Sequence, residues 1–319
     1  QEAKARYHNY QKSYQDIENQ KFALELSITS LKDAKSKLDA GIGTKFEVLE
    51  ADAQLSRDQQ SLNEKKIEYK INELALKEIL NIKEDFDVKK EQKLIGFWHY
   101  KLNKNINEGL AKSLSLKNFY IQKLIKQNQA NISLNSYKPN IYLSNTFSSA
   151  FSKGDSLALA IDPNENGSSY TNTISLNFAW KIFDGGKSKK SYKANKAEVQ
   201  AEEYSYNNLK NVLKTNISKA YLNLKLNEAK ILSSLKEISS TKESLRLSRL
   251  RYDVGISTLK DVLVRQKELS NAKSKNINAV YKYNLNLDEL ERLTFLEISN
   301  ICFENDNINK TESICNISR

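Results

Sequence analysis

Apolar side chains recur every seven residues over four long stretches of the chain. Tyr10, Ile17, Leu24, Leu31 and Leu38 form the first series, and Val48, Leu55, Leu62, Tyr69 and Leu76 the second. Leu224, Ile231, Ile238, Leu245 and Tyr252 form the third. Val262, Leu269, Tyr283 and Leu290 continue it, with Asn276 as one polar break. A seven-residue repeat keeps one seam turned toward a neighbouring helix and drives a left-handed supercoil. Companion heptad positions are often polar, as at Asp58, Lys65 and Asn72, so the seams are narrower than those of a solvent-excluding bundle.

The four series are an internal repeat. Adding 214 to a position in the first half gives its counterpart in the second, taking Tyr7 to Tyr221, Gly41 to Gly255, Thr44 to Thr258 and Leu55 to Leu269. Residues 40–49 (AGIGTKFEVL) match 254–263 (VGISTLKDVL). Gly41 and Gly255 suit the left-handed position that ends a helix. Thr44 and Thr258 suit the N-cap of the next, and the acid three residues on, Glu47 or Asp261, completes a capping box. Each half is therefore predicted to fold back as a long helical hairpin with a tight tip. Capping alone is sufficient to explain these residues.

Different material lies between the halves. Residues 82–105 lack periodicity and hold Phe97, Trp98 and Tyr100, which reads as an irregular connector. Residues 106–136 look helical and stop before Pro139. Alternation follows: Ile141, Leu143, Phe147 and Phe151 interleave with Tyr142, Ser144, Thr146 and Ser148. After a polar loop at 152–169 it resumes, with Ile174, Leu176, Phe178, Trp180 and Ile182 against Thr173, Ser175, Asn177, Ala179 and Lys181. These are two strands, each with one apolar and one small polar face. Strands of this length cross a bilayer when tilted, and such two-facedness suits a barrel wall with lipid outside and water inside. Two strands alone are unstable, so a closed barrel needs strands from other copies. Residues 187–254 then contain neither Gly nor Pro, enough for a helix of about 100 Å.

Composition narrows the functions. Only 9 Gly and 2 Pro occur in 319 residues, against average usage of roughly 7% and 5%. That argues against Rossmann folds, βα barrels, sandwiches and Gly-rich phosphate loops, all of which use glycine at turns. The net charge of +11 reads as solvated helix faces, with Lys spread along the chain, and no nucleic-acid-reading motif accompanies it. No run of 18 apolar residues provides a membrane-spanning helix. His8 and His99 lie far in sequence from Cys302 and Cys315, no catalytic constellation stands out, and no enzyme activity, cofactor or metal is expected. In an oxidising compartment Cys302 and Cys315 could pair; two free thiols in the tail is the competing reading.

In order and spacing the chain resembles the TolC-type outer-membrane efflux factors. The residues that carry the resemblance are Tyr137-Lys138-Pro139 before the first strand and Leu176 through Asp184-Gly185-Gly186 after the second. Ala220-Tyr221 and the tips Gly41-Ile42-Gly43-Thr44 and Gly255-Ile256-Ser257-Thr258 complete it. The resemblance covers residues 1 to about 296. It implies a mainly α fold with a β-hairpin: tandem long antiparallel helical hairpins forming an α-helical barrel, with strands contributing to a trimeric transmembrane β-barrel. It divides the chain into 1–81 (helical hairpin of the first repeat), 82–105 (equatorial connector), 106–296 (second repeat, with β-hairpin 141–183 and helices 187–254 and 258–296) and 297–319 (tail).

The same resemblance implies a function. A homotrimer would serve as the exit duct of a tripartite efflux or type I secretion system, in the outer membrane of a Gram-negative-type bacterium with its helical tunnel in the periplasm. The eight tip residues would meet a periplasmic adaptor (membrane fusion) protein linked to an inner-membrane pump. Asp261, Glu47, Glu50 and Tyr252 would line or gate the tunnel entrance, although Val264 departs from the acidic residue of the best-known member. Tyr252 is equally accounted for as a seam residue. Ile174, Leu176, Phe178, Trp180 and Ile182 would face outer-membrane lipid. The first repeat lacks a leading helix and hairpin, roughly 110 residues by comparison with the second, so the chain is read as an N-terminally truncated piece of a longer protein. The alternative is a soluble periplasmic or cytoplasmic coiled-coil scaffold without a pore; it explains the heptads but not the alternating strands.

Overall fold

A computed structural model describes residues 2–82, 89–152 and 167–299. Among these residues the protein is mostly helical, with one two-stranded antiparallel sheet. The order is α1 (Glu2–Asp39), α2 (Lys45–Leu80), α3 (Leu102–Lys112), α4 (Leu114–Asn135), β1 (Asn140–Ser152), β2 (Gly167–Ala179), α5 (Lys187–Asp253) and α6 (Leu259–Thr294). Residues 1–113 and 211–319 make one compact unit and 114–210 the other. Cys302 and Cys315 lie outside the described residues.

In the first unit most of the seven-residue positions form the buried seams. Tyr10, Ile17, Leu31, Leu62, Leu76, Leu224, Ile231, Leu245, Tyr252, Val262, Leu269, Tyr283 and Leu290 are all less than a tenth exposed. Two apolar clusters result. One joins Leu31 and Ala34, Ala51, Leu245 and Tyr252, and Leu259, Val262 and Leu269, drawn from α1, α2, α5 and α6. The other gathers Ile217, Leu224 and Ile231 of α5 with Tyr283, Leu287, Leu290 and Leu293 of α6 around Trp98.

The polar heptad positions find partners instead of water. Asp58 accepts from Ser27 and from Gln54 (2.9 Å), and Asn72 accepts from Asn9 (2.7 Å). Asn19 donates to Ser274 (3.0 Å), and Gln266 to Ser30 (2.8 Å). A buried polar group is costly without such a partner, so these pairs fix which faces of α1, α2 and α6 meet. Near the other end of α1, His8 Nε2 and Lys4 Nζ contact the buried carboxylate of Asp288 at 2.9 and 3.1 Å. Burial opposes the charge on Asp288, but the His8 and Lys4 contacts outweigh it and hold its pKa below the ordinary value.

From Lys89 onward the connector is irregular but fixed. Gln11 donates to the carbonyls of Lys89 and Glu91, and Asn284 to that of Lys93 while accepting from the Ile95 amide. Tyr283 donates to the Gly96 carbonyl, and Phe97 and Ser299 exchange both backbone hydrogen bonds. Backbone groups outside helix and sheet must find other partners, and here side chains supply most of them. Helix begins at Leu102, within the stretch expected to be irregular. The single helix expected at 106–136 is two, because Ser113 adopts an extended conformation between α3 and α4. Gly109 of α3 lies so close to α6 that an added Cβ would stand 2.7 Å from the Leu293 carbonyl oxygen.

Both tips are built alike. The amides of Gly41 and Ile42 donate to the carbonyls of Leu38 and Lys37, and those of Gly255 and Ile256 to Tyr252 and Arg251. This paired closure needs a left-handed residue, and Gly41 (φ 75°) and Gly255 (φ 78°) supply it. Gly255→Ala is expected to cost about 1–2 kcal/mol, read as a lowered thermal midpoint. Gly43→Ser should cost less, although a Cβ there starts 2.8 Å from the Leu38 nitrogen, because Ser257 already occupies the matching place in the second tip. Equal losses for the two would count against the left-handed position as the determinant.

Candidate functional site

The tips carry the residues singled out for a tunnel entrance. Ile42 and Ile256 are 77% and 70% exposed, so both tips present an apolar side chain outward. Past each tip a complete capping box starts the next helix. Thr44 and Glu47 bond reciprocally, as do Thr258 and Asp261. Asp261 also accepts from Ser257 Oγ (2.7 Å). That bond and those from Thr258 hold its pKa below the ordinary carboxylate value. Asp261 is thus an exposed acid and Glu47 a half-buried one, each fixed by its own helix end. Glu50 stands one turn further along α2 and is half-buried.

The first unit sets the ends of α1 and α5 side by side. Lys37 of α1 lies 3.5 Å over the ring of Tyr252 and donates to the Tyr252 carbonyl. The Tyr252 ring is packed into the apolar seam, while its hydroxyl has no hydrogen-bond partner among the described residues. A cavity of about 30 Å³ lies beside it, lined by Ser30, Asp33, Arg249, Asp253, Leu259 and Val262. Burial, with the charges of Glu47, Asp33 and Asp253, pushes the Tyr252 pKa up to about 12. Among the described residues, then, the ring holds the seam and the hydroxyl makes no bond. Tyr252→Phe is expected to change stability by less than about 0.5 kcal/mol, since a hydroxyl without a partner contributes no hydrogen bond. A loss above about 1 kcal/mol in thermal unfolding would show that it acquires a partner in the assembled protein.

The second unit carries the hairpin. β1 and β2 pair from Asn140↔Ala179 to Ser152↔Gly167. Opposite residues share a face, so Ile141, Leu143, Phe147 and Phe151 lie on one side with Phe178, Leu176, Ile174 and Tyr170. The other side holds Ser144, Thr146 and Ser148 with Ser175, Thr173 and Thr171, and also Tyr142 with Asn177. The apolar side chains are 64–76% exposed. Phe147 and Phe151 both meet the Tyr170 ring, with centroids 6.4 and 6.2 Å away.

Trp180 and Ile182 fall outside this ladder, which corrects the expectation that they belong to the strand. The position opposite Trp180 would be Pro139, which has no N–H to continue the pairing. Trp180 instead donates from its ring nitrogen to the Tyr137 carbonyl (3.1 Å), and Ile182 is 79% exposed. Asp184 then closes the base. It accepts from the Tyr137 hydroxyl (2.5 Å), the Gly186 amide (2.9 Å) and the Ser188 amide (2.8 Å), and from the Ser188 hydroxyl. The Ser188 and Tyr137 hydroxyls hold its pKa far below the ordinary value. One carboxylate therefore joins the end of β2 to the start of α5. The Asp-Gly-Gly sequence signals that junction, but the Tyr137 partner 47 residues away is invisible in it.

Lysine is also less evenly spread than the whole-chain reading held. Lys187, Lys189, Lys190, Lys193 and Lys196 crowd the first ten residues of α5. Among the described residues no helix is long and apolar enough to cross a membrane, and no cluster of His, Cys, Asp and Glu could hold a metal ion.

A long helical pair with such tips, and an antiparallel hairpin exposing one apolar face, are features of channel proteins of the bacterial outer membrane. The chain belongs to the outer membrane efflux protein family, whose model matches residues 106–294. Members of this family are channels and not enzymes. No curated protein sequence matches it. Among solved structures it is similar to the outer membrane protein VceC from Vibrio cholerae, with a TM-score of 0.73 and 14% identity over 92% of this chain and 68% of that one. It is similar also to the CmeC outer membrane channel of Campylobacter jejuni (0.68, 19%, 91% and 61%). The open state of the MtrE outer membrane channel of Neisseria gonorrhoeae is a third (0.66, 15%, 92% and 66%). The chain thus spans about two thirds of the length of these structures, and at these identities the likeness is one of fold.

Proposed function

We propose that the protein is the exit duct of a tripartite efflux or type I secretion system. It acts as a homotrimer in the outer membrane, passing solutes through a periplasmic helical tunnel without catalysing a reaction. The observation that carries this reading is the hairpin. Its apolar side chains stay exposed along 13 residues of each strand, while hydroxyls and amides cover the opposite face. Asn145, Ser149, Ser168 and Asn172 lie among the apolar side chains on the same face, yet so many exposed rings and branched side chains on one side would drive association in water. In a barrel wall this face meets lipid and its polar reverse faces the lumen. A soluble coiled-coil scaffold leaves this face without a purpose.

In this reading Ile174, Leu176 and Phe178 face lipid, and Trp180 and Ile182 sit at the interface below them. The tips, Gly41 to Thr44 and Gly255 to Thr258, meet a periplasmic adaptor protein that connects the duct to an inner-membrane pump. Ile42 and Ile256 offer it apolar anchors. Asp261, Glu47 and Glu50 give the entrance a negative rim. Tyr252, clasped by Lys37, lies where opening would have to part α1 from α5. The full-length protein is expected to sediment with outer membranes, to migrate as a heat-dissociable trimer and to form pores in planar bilayers. Recovery as a soluble monomer that forms no pores would overturn this function.

A further inference from the structure

We propose that lysines at the base of the hairpin form a basic collar that recognises the anionic headgroups of phospholipids, a preference that rests on the hairpin lying in a bilayer. Lys138 precedes β1, Lys181 follows β2, and Lys187, Lys189, Lys190, Lys193 and Lys196 open α5; all seven are exposed. None of them makes an ion pair among the described residues, although nearby Lys126 and Lys123 pair with Glu198 and Glu203. At 100° per residue Lys189, Lys190, Lys193 and Lys196 occupy about a third of the helix circumference. The side facing α4 is different: Ser188 bonds Ser136, and Asn195 donates to Ser133 (2.8 Å). The lysines therefore crowd the surface that packing leaves uncovered.

This placement works against the helix. A helix N-terminus favours acids and disfavours cations, and the first turn of α5 contains no acid. The carboxylate at hand, Asp184, is occupied by Ser188, Tyr137 and Gly186. An external negative charge beside the group would relieve this repulsion. Its position says which one. It adjoins Tyr137, Trp180 and Phe183, which are 39%, 56% and 84% exposed and stand where the apolar face ends. Aromatic rings mark the level of lipid headgroups at a membrane interface. Lysines beside such a belt lie within reach of lipid phosphates and are attracted to anionic ones.

The test uses the full-length protein reconstituted in phosphatidylcholine vesicles containing about a third phosphatidylglycerol. Spin-labelled forms of each lipid report how much of it is immobilised at the protein. Wild type should favour phosphatidylglycerol by about fivefold at low salt, the effect of roughly one lysine near a charged surface, and lose most of this at high salt. The quadruple variant K189Q/K190Q/K193Q/K196Q should show no preference while still inserting, and the matching Lys→Arg variant should retain it. Equal immobilisation of both lipids by inserted wild type would overturn the collar alone. Failure of wild type to insert into these vesicles would overturn the membrane reading beneath it. If the glutamine variant kept its lipid preference but no longer pelleted with isolated peptidoglycan, the collar would belong to the cell wall and the proposal would fall.

Discussion

Ile174→Arg should strip the protein from the outer membrane, whereas Thr173→Arg, one residue earlier, should leave it there. Both positions lie at the middle of β2, where Ile174 pairs with Asn145 and Thr173 with Thr146. They point to opposite faces because side chains alternate along a strand. On the lipid face, arginine near the bilayer midplane costs about 2–4 kcal/mol per copy, and a trimer would incur that cost three times. On the polar face the guanidinium reaches water, and the expected change is in conductance and ion selectivity. Membrane fractionation and single-channel recording separate the outcomes. Similar losses from both substitutions would mean that the hairpin packs on protein through both faces, and the barrel-wall reading would fail.

Leu287→Ala should be the most damaging conservative change in the helical part. Leu287 has no exposed surface and sits in the cluster that brings α5, α6 and the connector together around Trp98. Removing its branched end loses the transfer free energy and leaves a cavity that rigid helices close poorly, at a cost of about 2–5 kcal/mol. In a unit of this size that corresponds to a fall of roughly 5–15 °C in the thermal midpoint. Lys282→Ala on the exposed side of the same helix should stay within about 0.5 kcal/mol. A small effect at Leu287 would show that the connector docks through its hydrogen bonds and not through this apolar contact.

The tips were legible in the sequence because their determinants are local. Each left-handed glycine and each capping box closes within a few residues, so the pattern from Gly41 to Glu47 and its copy from Gly255 to Asp261 dictate the same turn wherever they occur. The alternating segments were legible for a similar reason, since the pleat imposes a period of two. Their lower limit was not. β2 carries on alternating through Trp180 and Ile182, and the ladder stops at Ala179 because the partner strand has reached Pro139. Nor did whole-chain counts reveal the lysine cluster at 187–196, because an average over 319 residues conceals a charge that matters within one Debye length.

The sequence by itself determined the long helices, their reversal points and the two-faced hairpin, since heptads, caps and alternation act over a handful of residues. Only the tertiary structure decided how the polar remainder is used. Gln11 and Asn284 pin a connector that has no periodicity of its own. Asn19, Ser27 and Gln266 bridge helices through partners 31 to 255 residues away. Tyr252 places its ring in the seam and leaves its hydroxyl unbonded. Such contacts depend on which helix lies alongside, and buried polar groups select that neighbour because each would be costly without its partner.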